Sequence, residues 1–294
     1  MQFRELIDVR PPYFAFQSVA SDEPGTASAL VRSEQPLGHE DGPLSGAEAG
    51  RHLAILGACA CSSVWEGSGT HFYLARRAKL LRHPHVVGNG RSFRAVARST
   101  GPRSGREASA QGTLFMGDSE RPVFTIDVTY QVLSRSLFQR VFASRRMDMR
   151  ARPRADAAEP HSAKAALRQN PYYEHLPLEF VERSSERVHA RVSEVSAGHC
   201  AGHFPQYPAL PVAVLMHALT TMSGEALRVR WGDSARFRIL NADVYAERLV
   251  FPGESLLLDA EFLRGTDTHE EYRSSAHLPD GTRVGELVLA LMPS

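Results

Sequence analysis

Hydrophobic and polar positions divide the chain into two similar runs of strands, each interrupted by one apolar helix. The clearest strand is 121–132, where Phe124, Ile126, Val128, Tyr130 and Val132 alternate with Thr125, Asp127, Thr129 and Gln131, the period-2 signature of a half-buried strand. Strand-like segments also cover 70–82, 91–99 and 107–116. Two more, 13–20 and 26–33, open the chain on either side of the turn sequence Asp22-Glu23-Pro24-Gly25. Residues 46–65 instead carry Leu53, Leu56, Ala60 and Val64 at helical spacing, with Ser45 and Glu48 placed as a capping box. The small residues Gly50, Gly57, Ala58, Cys59, Ala60 and Cys61 would admit other backbone on all sides, so this helix is expected to be buried. A short amphipathic stretch, 136–143, closes the first run.

The second run repeats the first. Strand candidates 176–182 and 187–195 precede a Gly/Pro-rich loop and a helix from about Pro211 to Arg228, with proline in the favoured first turn. Four strands follow near 236–248, 253–263, 270–278 and 283–292. The spacing agrees: Ala78 lies 26 residues after His52, and Ala242 lies 25 after His217. An α+β chain of two diverged copies is expected, with one unit over 1–150, a linker over 151–168 and a second unit over 169–294. The polar, proline-containing stretch 144–168 marks the change between them.

Composition narrows the class. With 43% hydrophobic residues and a net charge of +1, the chain can build a core and is neither disordered nor a supercharged nucleic-acid binder. Of the 34 basic residues 32 are Arg, but they are scattered, so the excess alone says little about binding. The run Arg145, Arg146, Arg150, Arg152 and Arg154 reads as a solvated linker or as a docking surface for an acidic carrier protein. Three cysteines, Cys59, Cys61 and Cys200, are too few for a disulfide framework, which suggests a reduced, cytoplasmic setting. The N-terminus does not resemble a signal peptide, and the longest apolar run, Leu53 to Cys61, falls far short of the ~20 residues of a membrane span.

Candidate chemistry is concentrated in one loop, AGHCAGHFPQYPALPVAVLMHAL, residues 197–219. Pro205, Pro208 and Pro211 would hold His203 rigidly, and the helix beginning near Pro211 would offer unpaired backbone N–H groups to a developing oxyanion. A base beside an oxyanion site is the minimum kit for proton abstraction next to a carbonyl. His199, Cys200 and His203 lack the second cluster a zinc site needs, so no metal is expected. Cys59 and Cys61 point to different helix faces and read as small core residues. Neither a Gly-rich phosphate loop nor a G-x-S-x-G nucleophile elbow is present, Gly88-Asn89-Gly90 reading as a strand connection.

Gly202-His203-Phe204-Pro205, continued by Pro208 and Leu210-Pro211, resembles the GHFPxxPxxPG motif of the hot-dog-fold 3-hydroxyacyl-[acyl-carrier-protein] dehydratases. FRILNADVYAERLVFPGESLLLDAEFL, 237–263, resembles that family's strand pair with its Pro-Gly turn, here Pro252-Gly253. The likeness covers roughly 175–294, and the tandem layout is similar to the double hot-dog dehydratase domains of polyketide synthases. The resemblance implies a double hot-dog fold in which each unit wraps an antiparallel sheet around a long central helix. It also implies a lyase that removes water from a 3-hydroxyacyl thioester in polyketide or fatty-acid biosynthesis. His203 would be the base at the 2-carbon, and the Val212 amide would face the thioester carbonyl. Phe204, Tyr207, Pro211 and Val212 would contact substrate.

The family's acid, carried on the central helix, is missing. The position fourteen residues after His203 is His217, and the corresponding place in the first copy is near His52. Because partners cross between units in that family, the donor opposite His203 would be His52 or Glu48, which lie i and i+4 apart. The same residues also read as a buried core histidine and a helix cap. No bound cofactor is expected beyond a phosphopantetheine-borne substrate, delivered on an acyl carrier protein or as a CoA thioester. The chain would be a monomer whose tandem supplies the pairing, or a homodimer. An acyl-thioesterase, or a silent acyl-binding partner, would account for the missing acid.

Overall fold

The computed structural model describes residues 3–67, 69–84, 92–146, 172 and 175–294. The expected linker 151–168, the Gly88-Asn89-Gly90 connection and Arg150, Arg152 and Arg154 lie outside them. A short helix α1 (Phe3–Ile7) precedes β1 (Thr26–Arg32), α2 (Gly46–Ser62), β2 (His71–Arg82), β3 (Ser92–Ser99), β4 (Glu107–Met116), β5 (Pro122–Ser134) and α3 (Arg135–Val141). The second half contains β6 (Glu179–Arg183), β7 (Arg187–Val192), helix α4 (Val212–Trp231), β8 (Phe237–Ala246), β9 (Leu256–Gly265), β10 (Glu270–His277) and β11 (Arg283–Pro293). No helix among the described residues is long and apolar enough to cross a membrane.

All eleven strands join one antiparallel sheet in the order β1-β3-β4-β5-β2-β8-β11-β10-β9-β7-β6. Read inward from β1 and from β7, the two halves have the same strand order and meet at β2 and β8. The register at this seam is self-complementary: Ala78 faces Val244, Leu80 faces Ala242, and Lys79 faces Asp243. Under the equivalence of Ala78 with Ala242 these pairs exchange with one another, as they would across a two-fold axis. Helix α2 packs on the first half of the sheet, α4 on the second, and the two helices touch.

The reasons for the helices are local. Ser45 accepts from the Glu48 amide at 3.1 Å and starts α2. The expected burial on all sides holds: Leu53, Leu56, Cys59 and Ala60 are fully buried. At Gly57 a Cβ would come within 2.5 Å of the Tyr130 hydroxyl, which passes this point to donate to the Ala54 carbonyl at 2.6 Å. For α4, Pro211 stands one position before the first helical residue, with ψ 141°, and supplies no side-chain cap.

One expected strand is absent. Residues 13–20 would have matched β6, but only a single bridge, Ala20 with Ser28, remains. Tyr13, Phe14 and Phe16 are buried instead of lying along an edge, and the backbone at 12–13 is engaged by Arg51, whose Nε donates to the Tyr13 carbonyl at 3.2 Å. Burying three aromatic rings outweighs the few edge hydrogen bonds forgone. The segment therefore forms an arm across the loop that carries His203.

Candidate active site

The loop before α4 is built by close backbone packing. Arg10 N–H donates to the Gly202 carbonyl at 2.8 Å, and Val9 bridges to His203. A Cβ on Gly202 would meet the Arg10 carbonyl oxygen at 2.3 Å, and its φ of +79° independently favours glycine. Phe204 also adopts positive φ, +54°, a conformation that costs on the order of 1–2 kcal/mol for a residue with a side chain. Its ring is held at 5.2 Å from Phe72 and 5.3 Å from Phe138, and Tyr207 closes the same cluster. The cluster under the loop fixes the backbone that presents His203.

His203 is 9% exposed, and its Nδ1 lies 2.8 Å from the Ala209 carbonyl oxygen. A carbonyl only accepts, so Nδ1 carries the proton and Nε2 is left with its lone pair. Burial pushes this histidine down to about 4, against the opposing effect of the Ala209 bond. The ring is therefore a neutral base at neutral pH.

His203 lines a cavity of about 440 Å³ between α2, α4 and the strands at the seam. Most of the lining is apolar, including Ile55, Leu215, Met216 and Leu287. Val212 and Ala213, the first two residues of α4, also line it. The Pro211 carbonyl accepts from Val214 and Leu215, whereas the amides of Val212 and Ala213 have no acceptor among the described residues. Such amides at a helix start are suited to developing negative charge.

The start of α2 is different. Glu40 accepts from the Gly46 amide at 2.8 Å, and Ser45 accepts from Glu48. Burial raises Glu40 to about 8. Gly38-His39 is the glycine–histidine pair that precedes α2, but His39 is exposed and does not line the cavity. Both helix starts line the cavity, but at α2 the Gly46 and Glu48 amides are taken by Glu40 and Ser45, whereas at α4 the Val212 and Ala213 amides have no acceptor among the described residues.

The structure does not bring His52 or Glu48 to His203. Both are fully buried, and neither lines the cavity. The Glu48 carboxylate accepts from the amides of Glu34 at 2.6 Å and Gln35 at 3.3 Å, while His52 sits 3.5 Å from it and packs near Phe16. Burial lowers His52; for Glu48 burial is outweighed by His52, the Glu34 amide and Arg51, which keep it below the usual range. The reason is helix phase: one residue is about 100° of turn, and the residue presented toward the cavity is Arg51. Among the other expected contacts only Val212 lines the cavity. Phe204 and Tyr207 pack beneath the loop, and Pro211 precedes the helix. His217 is paired instead with His175 at 3.1 Å, and burial, then His175, pushes it down to about 3.

Two cavity residues carried no signal in the sequence. Arg51 is 1% exposed and bridges Glu34 at 2.6 Å, with its guanidinium over the rings of Tyr13 and Tyr172. Tyr13 lies with its ring 5.0 Å from that of His203. A buried arginine beside a buried acid does not show in a local pattern, and Tyr13 arrives from far along the chain.

The cavity opens beside a polar groove shared by Arg76, Arg77 and Arg106. None of the three forms an ion pair with a carboxylate among the described residues; Arg76 donates to the Glu247 carbonyl at 2.5 Å. Arg145, the start of the run read as a solvated linker or a docking surface, pairs with Glu254 at 2.9 Å and lies over Phe251. Among the described residues no group of His, Cys, Asp and Glu is arranged to hold a metal ion.

No protein-family model and no curated protein matches the sequence, but solved structures resemble the chain over nearly its whole length. A conserved protein with hot dog fold from Alicyclobacillus acidocaldarius is 13% identical, with TM-score 0.56 over 97% of this chain and 99% of its own. The acyl-CoA thioesterase II TesB2 of Mycobacterium marinum is 13% identical, with TM-score 0.53 over 94% and 96%. The 12:0-ACP thioesterase of Umbellularia californica is 8% identical, with TM-score 0.57 over 97% and 100%. At these identities the likeness is one of architecture, and the chain has the hot-dog fold.

Proposed function

We propose that the protein is a tandem of two hot-dog units with one working site, and that it hydrolyses acyl thioesters. The observation that carries this reading is a neutral His203 whose Nε2 keeps its lone pair, beside the open start of α4, in an apolar cavity whose one lining carboxylate among the described residues, Glu247, is held by Arg283 at 2.5 Å. In the proposed reaction Nε2 takes a proton from water as the water oxygen attacks the thioester carbon. The amides of Val212 and Ala213 hold the oxyanion. As the carbon–sulfur bond breaks, the imidazolium returns its proton to sulfur, leaving a carboxylate and a thiol. The acyl chain would occupy the apolar cavity. Arg76, Arg77 and Arg106 would face the phosphate-bearing arm of the carrier.

Elimination of water from a 3-hydroxyacyl thioester is the second reading, favoured by the way the Gly202–Pro205 loop holds His203. It needs a proton donor for the departing hydroxide. Glu48 and His52 are sealed behind α2, and a guanidinium such as Arg51 does not give up a proton near neutral pH. The lack of a donor counts against elimination and not against hydrolysis. Two of the structural neighbours, the Mycobacterium marinum and Umbellularia californica proteins, are named as thioesterases, which agrees with the first reading.

Mass spectrometry of acyl and 3-hydroxyacyl thioesters incubated with the protein tests the choice. Free acid and free thiol are expected. An intact thioester lighter by one water would establish elimination instead, and unchanged thioester would leave a binding module.

A further inference from the structure

We infer that Tyr13 is a specificity-determining residue whose hydroxyl hydrogen-bonds an oxygen substituent on the acyl chain close to the thioester carbonyl. This inference rests on the reading of the cavity as a thioester site. Tyr13 is 7% exposed and lines the cavity, yet its hydroxyl has no hydrogen-bond partner among the described residues. Tyr130 donates to Ala54 and Tyr172 to Ala201; Tyr73, which also lines the cavity, has an unpartnered hydroxyl too, but Tyr13 is the one whose ring lies against His203. A phenol group held in an apolar cavity without a partner is costly unless a ligand or water meets it.

The residue is also rigidly placed. Arg51 Nε donates to its carbonyl, Phe14 N–H donates to the Arg10 carbonyl at 2.9 Å, and the Tyr13 amide packs where a Cβ on Gly202 would stand. Its ring lies against His203, and its contacts with Arg51 put it on the α2 side of the cavity, across from the α4 amides. With the thioester carbonyl on those amides, we place an oxygen substituent of the acyl chain two carbons along at the Tyr13 hydroxyl. Burial raises Tyr13 to about 12 even with Arg51 nearby, so it keeps its proton and acts as a neutral donor and acceptor. A site that offers a fixed hydroxyl to an oxygenated chain discriminates against the plain chain, since that hydroxyl would then stay unpaired.

Binding of two non-hydrolysable analogues of equal chain length, a 3-hydroxyacyl amide and the unsubstituted acyl amide, tests this in wild type and Tyr13→Phe. Tyr13→Phe removes only an unpartnered hydroxyl, and a thermal melt checks the fold. The expected result is a loss of roughly tenfold to a hundredfold in affinity for the 3-hydroxyacyl analogue, with the unsubstituted one changed less than about twofold. Equal weakening of both, or no change in either, would overturn the inference. Thiol release from the corresponding thioesters, followed in parallel, reports separately on hydrolysis: absent turnover with selective loss of binding keeps Tyr13 and discards the hydrolase.

Discussion

In the proposed hydrolysis, the bond from His203 Nδ1 to the Ala209 carbonyl leaves Nε2 as the basic nitrogen, and burial keeps it unprotonated. With the ring pushed down to about 4, its free form persists well below the usual histidine range. kcat/KM, which reports the free enzyme, should therefore stay level from pH 8 down to about pH 5 and fall only as the pH nears 4. A tenfold fall per unit beginning near 6.5 would show that the working base is not His203 in its buried setting. The glycine and prolines that hold this histidine were readable in the sequence, because φ-restricted and φ-permissive residues act on their own backbone. The residues facing it were not. Around α2 small residues occupy every side, so the stripe of Leu53, Leu56, Ala60 and Val64 did not show which face meets the cavity, and Arg51 rather than His52 reached it.

The start of α4 is the element on which the chemistry depends. Val212→Pro removes one of its two free amides, and proline is at ease in the first position of a helix. The preceding residue is already extended, as a residue before proline prefers. Steady-state kinetics should show kcat lowered by roughly a hundredfold, with KM and the melting temperature nearly unchanged. Full activity in that variant would move the oxyanion site elsewhere. Both long helices and most strands were legible from periodicity and capping. The segment 13–20 was not, since its alternating aromatic residues satisfy a strand pattern while their actual destination is the core beneath a distant loop.

Across the whole molecule, the two halves meet in a self-complementary register between β2 and β8, yet their helix starts have diverged. Glu40 and Ser45 close one; the other faces His203. The spacing of the repeat was readable because both halves keep the same strand order. The asymmetry was not, because it depends on Glu40 folding back onto Gly46 across a loop. One open site means that one substitution should silence the chain. His203→Asn places an amide nitrogen near the position of Nδ1, keeping the donor to Ala209 while deleting Nε2. Thiol release from an acyl thioester is the most direct measurement: the expected result is a fall of at least about a thousandfold relative to wild type, with the melting temperature held. Release at the wild-type rate in His203→Asn would contradict hydrolysis by this site.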